Sequence, residues 1–325
     1  MKNTNNKMKF AKWAAIAAFG VAAVIMPFQS NSYMLNVFIM GMITYQCVMS
    51  MYVLLGMCGQ NSFAQAGLWG VGGYITANLT IKLGMSPILS MLISILGTAL
   101  ICFVLGFAFF RLKDYYFTFA TIGLMTILNS LFTNWEPFTG GAIGLKGIPK
   151  FSIFSFTFTN DYLYYFFYLL ICILVYYLVT LLYKSPLGRS FMAIRDNEIA
   201  ANCIGVNSLL TKSIAFAISG GLCGIAGAMY AFYSGYLSYP TFTFAQSTIY
   251  LIMIMLGGTI SPMGTVIGTF AMTILQEWLR PLQNYMMLLY GLGIIVLMVY
   301  QPEGILGGVK VLYEKYKKRR SSAKT

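Results

Sequence analysis

Apolar runs long enough to be membrane helices recur along the chain, separated by short polar or charged breaks. Ten segments read as helices, at residues 13–28, 33–55, 63–81, 87–110, 117–132, 162–183, 213–233, 244–260, 266–279 and 286–300. A hydrocarbon core of about 30 Å takes roughly 20 helical residues, so 244–260 and 266–279 are short crossings. Lys2, Lys7, Lys9 and Lys12 before the first run suit a signal peptide. No small-residue cleavage site follows and further spans come at once, so 13–28 reads as a span. The third segment carries Gly67, Gly70, Gly72 and Gly73, and the seventh a GxxxG at Gly220 and Gly224, patterns that let helices approach closely.

Three breaks stand out. Residues 56–61, GMCGQN, interrupt the pattern before Phe63 resumes it. Residues 133–160 form a long loop containing TGGAIGLKGIP, and the Phe/Ser/Thr alternation at 151–159 predicts a short strand or hairpin. The run at 185–206, SPLGRSFMAIRDNEIAANCIGV, mixes both signs of charge in an otherwise apolar chain. Ser185 suits a helix cap, Pro186 the first helical position and Gly205 the stop. Asp196-Asn197 is a second cap signal inside it, so one helix or two short ones both fit. Apolar Phe191, Ile194 and Ile199 among the charges point to docking; capping by Asp196 and an exposed Arg195–Glu198 pair is the structural alternative.

Charge sets the orientation. If residue 1 lies inside and each segment crosses once, Lys82, Lys146, Lys150 and Arg280 fall outside, leaving 17 of the 21 basic residues inside. Both termini and the mixed-charge run are then cytoplasmic. An even count with both ends inside also permits two inverted five-helix halves. The third and eighth segments then correspond, and both open with Phe-Ala-Gln, at Phe63 and Phe244.

Composition narrows the chemistry. Only 9% of residues are charged and 58% are hydrophobic, against about a quarter charged in soluble domains, so the chain is a polytopic membrane protein. The net charge of +13 sits at chain ends and between spans, which argues against nucleic-acid binding. Cys47, Cys58, Cys102, Cys172, Cys203 and Cys223 form no CxxC, and there is no histidine; neither a disulfide nor a metal site is expected, and no cofactor. No acid lies mid-span, which removes the usual proton relay, and Glu277 and Asp161 lie near span ends. No Gly-Lys dipeptide occurs, so there is no P-loop, and ATP would have to act through a separate subunit. A catalytic constellation is missing as well.

The run at 185–206 closely resembles the cytoplasmic signature of LivM-type permeases of branched-chain amino acid ABC importers. It also holds the looser ABC-permease pattern of an acid, two alanines and a glycine: Glu198, Ala200, Ala201, Gly205. Stretches 59–74, 115–123, 138–149, 217–231, 255–268 and 302–307 are similar to that family in order. The chain departs from it at residues 61–65, NSFAQ, where Gln65 stands near an expected histidine, and at Ala142-Ile143, where a polar residue is usual.

The resemblance implies a single permease domain over 1–325, with a cytoplasmic N-terminus at 1–12, an external loop at 133–160, a cytoplasmic coupling loop at 184–212 and a basic cytoplasmic tail at 301–325. It implies a second related permease, two cytoplasmic P-loop ATPases and an extracytoplasmic solute-binding protein as partners, in a bacterial plasma membrane. Gly188, Arg189, Ile194, Arg195, Asp196, Glu198, Ile199, Ala200, Ala201 and Gly205 take the ATPase-coupling role, with Ile194 and Ile199 as its apolar contact. Gly59, Gln60, Gln65, Gly67, Gly140 and Gly141 are candidates for the translocation pathway, where free backbone N–H groups could receive a carboxylate. Related permeases carry urea and amides. A stand-alone carrier or channel, needing no docking helix, and a membrane enzyme are the rival classes.

Overall fold

Eight of the ten apolar segments fall among the residues that the computed structural model describes (31–112, 114–153, 156–281, 288 and 291), and all eight are helical. The segment at 13–28, most of 286–300 and both terminal regions lie outside the described residues. The helices are α1 (Ser32–Met51), continued by a π-helical turn (Tyr52–Met57), α2 (Gln65–Lys82), α3 (Pro87–Phe109), α4 (Asp114–Asn134) and a short α5 (Glu136–Thr139). Then follow α6 (Asp161–Lys184), α7 (Pro186–Asp196), α8 (Glu198–Cys203), α9 (Ser208–Ser234), α10 (Phe244–Gly257) and α11 (Pro262–Trp278). Among the described residues, six segments are long and apolar enough to cross a membrane: Ser32–Met57, Pro87–Phe109, Tyr115–Asn134, Asp161–Lys184, Ser208–Ser234 and Tyr239–Gly257. The helices of the expected third and ninth crossings are not among these six: α2 holds glycines, threonines and an asparagine, and α11 has 17 residues.

Helix α9 is the hub, packed along α1, α2 and α3. Its glycines explain why. A Cβ on Gly220 would stand 2.4 Å from Cys102 Sγ, one on Gly224 2.3 Å from Thr98 Oγ1, and one on Gly227 2.3 Å from the Gly73 nitrogen. Backbones that close leave room for no side chain, as the small-residue pattern predicts. The outward faces of α3 (Leu92, Leu96, Leu100) and α6 (Leu170, Leu174, Leu178) are exposed and apolar.

Strands are confined to two antiparallel pairs among the described residues. β2 (Ser152–Ile153) and β3 (Phe156–Thr157) form the hairpin expected at 151–159. β1 (Leu145–Lys146) pairs with β4 (Tyr236–Leu237), tying the long loop to the α9–α10 connection.

Residues expected on one side of the membrane meet one another. At one end Lys82 Nζ donates to the Pro137 carbonyl, Lys146 lies over the Tyr236 ring, and Tyr33, Glu277 and Arg280 form a cluster. At the other, Lys212 lies over the Phe110 ring and Arg195 reaches the end of the π-helical turn.

Helix α10 starts at Phe244, where the eighth segment is expected, and the residues before it pack inward. Phe242 is fully buried, with its ring near those of Trp69, Tyr74 and Phe132. The two Phe-Ala-Gln tripeptides end up together, with the Phe63 and Phe244 rings stacked 5.3 Å apart.

Candidate functional site

The mixed-charge run folds as two helices, α7 and α8. Ser185 Oγ caps the first by accepting from the Gly188 nitrogen at 3.1 Å, and Pro186 takes the first helical position. The second cap is Asn197 and not Asp196: Asn197 Oδ1 accepts from the Ala200 nitrogen at 3.0 Å. An amide or carboxylate caps equally well, and the chain breaks one residue later than the alternative assumed. Gly205, at φ +88°, follows the end of α8 in the left-handed conformation that glycine adopts freely. Gly188 is needed for packing, since a Cβ there would stand 2.0 Å from the Leu182 carbonyl oxygen.

The ion pairs differ from the expected Arg195–Glu198 pair. Arg195 bonds the adjacent Asp196, with Nη2 3.1 Å and Nε 3.2 Å from Oδ1. Glu198 instead pairs with Lys212 in the first turns of α9, at 2.6 Å. Lys212 is buried, and Glu198 is one-third exposed. The apolar face is also revised. Ile194, with Phe191, is buried in this chain's own core and has no surface to offer a partner, and Ala201 is buried too. Ile199 (78% exposed) and Ile204 (76% exposed) point out, together with exposed Ala200, Cys203, Arg189 and Gly205.

Arg195 joins this run to the break after α1. Its Nη1 donates to the Gly56 carbonyl at 2.7 Å, and its stem lies over Gly59, where a Cβ would come within 2.8 Å of the Arg195 Cγ. Gly59 is itself left-handed at φ +72°. Cys58, between them, is buried; burial pushes its thiol up to about 12, with Lys212 lowering and Glu198 raising it. Neither the Arg195 contact nor the burial of Lys212 is visible in local sequence. The one hint is an isolated lysine set just inside an apolar run.

The pathway candidates separate into two places. Gly59, Gln60 and Gln65 belong to the break and the start of α2, which is held to the first half of α4: Thr118 Oγ1 donates to the Asn61 carbonyl and the Phe63 nitrogen to Thr121 Oγ1. Gly140 and Gly141 follow the far end of that 21-residue helix, about 30 Å long at 1.5 Å per residue. The expected free backbone donors are already used. The nitrogens of Gly140, Gly141 and Gly144 bond the Glu136 carbonyl, Thr139 Oγ1 and the Gly141 carbonyl, and the Ala66 nitrogen bonds Ser247 Oγ. Gly67 is a packing glycine, its absent Cβ 2.8 Å from Leu128. Gln65 is fully buried halfway along α9, its Nε2 3.1 Å from Ser219 Oγ.

A family model for the permease component of branched-chain amino acid transport systems matches residues 33–298. The high-affinity branched-chain amino acid transport system permease protein LivM of Salmonella typhimurium is 28% identical over 314 residues, 90% of this chain and 74% of that one. A probable branched-chain amino acid transport permease protein LivM of Methanocaldococcus jannaschii is 23% identical, over 77% of this chain and 76% of its own. An autoinducer 2 import system permease protein LsrC of Escherichia coli is 26% identical over 62% of this chain and 60% of that one. No solved structure matches. The match spans the helix break, the paired helices α7 and α8 and the α9 hub together, so the chain belongs to the permease-component family of branched-chain amino acid transport systems and is a multi-pass membrane protein.

Proposed function

We propose that this chain is the permease subunit of an ATP-driven ABC importer for branched-chain amino acids. Substrate arrives from an extracytoplasmic binding protein, passes between this chain and a second related permease, and is released inside. The chain crosses the membrane ten times with both termini cytoplasmic, so that 133–160 is external and 184–212 is cytoplasmic. A separate pair of P-loop ATPases docks on α7 and α8.

One observation carries the docking reading. Ile199 and Ile204 stand exposed at the end of the run, on and just after a short capped helix that is not one of the six apolar spans. Each such side chain gains about 1.5–3 kcal/mol on full burial, enough to anchor a partner. Arg189 and Asp196, both exposed on the neighbouring α7, supply charges able to fix the register of a partner. Amino-acid transport is the preferred substrate reading because the relatives named for it match over more of the chain than the autoinducer permease does. Gly59, Gln60 and Gln65 are proposed for the inner part of the pathway, and Gly140 and Gly141 for shaping its outer end.

The test is co-purification. Ile204→Asp is expected to leave the chain inserted while the ATPase is lost from the assembly and leucine uptake stops. Retention of the ATPase by Ile204→Asp and by Ile199→Asp would refute the docking face.

A further inference from the structure

We infer that Arg195 is the positioning residue through which the paired helices α7 and α8 hold the break after α1, so that displacement of those helices moves the break. This rests on the proposed docking of an ATPase on α8. The geometry of the break is what points to it.

Helix α1 does not end simply. It runs on into six π-helical residues, Tyr52–Met57, a rare conformation that is frequent at functional sites. The nitrogens of Gly59 and Gln60 return to the carbonyls of Leu55 and Leu54, and the Gly56 carbonyl is met by Arg195 Nη1 from 139 residues away. The guanidinium is held from its other side by Asp196, and its stem runs over Gly59, whose missing side chain leaves the room. Carbonyl, carboxylate and glycine thus form three walls around one side chain. A planar guanidinium can donate to the carbonyl and the carboxylate at once; a lysine is one ammonium on a flexible stem and loses part of that geometry. The break is also the start of the route into the core, since Gln60 and Gln65 follow it and α2 begins six residues after Gly59. A pull on α7 therefore reaches Gly56 and Gly59 through a charge-assisted bond and a steric contact together.

Cys58 reports the movement, because it lies inside the break and is buried. The experiment uses the assembly of this chain with its partner permease and ATPases in lipid nanodiscs. N-ethylmaleimide labelling of the Cys58 peptide is followed by mass, with and without ATP plus vanadate. For the unaltered chain, nucleotide is expected to change the Cys58 labelling rate about tenfold, as local opening does. Arg195→Met is expected to abolish that response while the ATPase still co-purifies and hydrolyses ATP, and Arg195→Lys to restore part of it. Gly59→Ala, which pushes the Arg195 stem away, is expected to behave like Arg195→Met. A full nucleotide response in Arg195→Met, or none in the unaltered assembly, overturns the inference. Loss of the ATPase from Arg195→Met overturns it as well, because Arg195 then serves docking. Failure of the ATPase to bind the unaltered chain is a separate result that removes the docking reading itself.

Discussion

The ammonium of Lys212 lies 2.6 Å from Glu198 Oε2, joining the first turns of α9 and α8 across 14 residues of chain. The two partners are unequally buried, Lys212 at 6% and Glu198 at 34% side-chain exposure, and this makes the pair asymmetric. Glu198→Met takes one carboxylate from a buried ammonium and is expected to cost about 2 kcal/mol, the worth of a hydrogen bond to a charged group. Lys212→Met leaves an acid that water can reach, and its cost should stay near about 1 kcal/mol. Thermal unfolding of the two variants in detergent checks the order; a larger loss for Lys212→Met would contradict it.

The Cys58 thiol makes a pH prediction. Burial pushes it up to about 12, so the thiolate, which is the reactive form, is scarce at neutral pH. The thiolate is a small minority at pH 8, and in resting protein the alkylation rate should still be climbing steeply between pH 8 and pH 10. Exposed Cys203 should label first. Equal labelling of Cys58 and Cys203 at pH 8 would show that the break is open at rest.

Glycines differ sharply in what they tolerate. Gly268→Ala would put a Cβ 2.0 Å from the Met253 carbonyl oxygen, and Gly227→Ala would put one 2.3 Å from the Gly73 nitrogen. Backbone atoms cannot step aside, so each should cost about 3 kcal/mol or more and reduce the yield of folded protein. Gly123→Ala meets nothing within 4 Å inside a helix and should hold or raise the melting temperature. Equal stability in all three would mean that the close crossings of α9 with α2, and of α10 with α11, are absent in solution.

Gln65→Leu removes the amide that bonds Ser219 beside the start of α2. Ser219 can turn to a carbonyl of its own helix, so the stability cost should be only about 1 kcal/mol. The uptake of labelled leucine in competition with other solutes should change far more. An unaltered competition profile would take Gln65 out of the pathway.

Much of this architecture is legible in the sequence because membrane helices announce themselves by apolar length, and because Ser185 and Gly205 bound the mixed-charge run by local rules. What is not legible depends on tertiary contact. Ile194 and Ile199 look alike in the run, and only the packing of α7 on the core decides that one is buried and the other exposed. Glu198 has Arg195 close in sequence, yet it takes Lys212 because the chain folds back after Gly205. The grip of Arg195 on Gly56 spans 139 residues, and no periodicity encodes such a distance. The paired glycines at Gly140 and Gly141 invite an anion-binding reading, but their nitrogens serve the loop itself.

The start of α2 has a consequence for how the protein is made. The nitrogens of Phe63, just before the helix, and of Ala66, in its first turn, are satisfied by hydroxyls of Thr121 and Ser247, which leave the ribosome 58 and 181 residues after them. In hydrocarbon an unsatisfied backbone group costs several kcal/mol, so this helix cannot settle as an independent insertion step. It has to wait, shielded by water, lipid headgroups or the insertion machinery, until α4 and then α10 have been synthesised. Truncation before residue 247 therefore leaves α2 with an unmatched donor at its first turn.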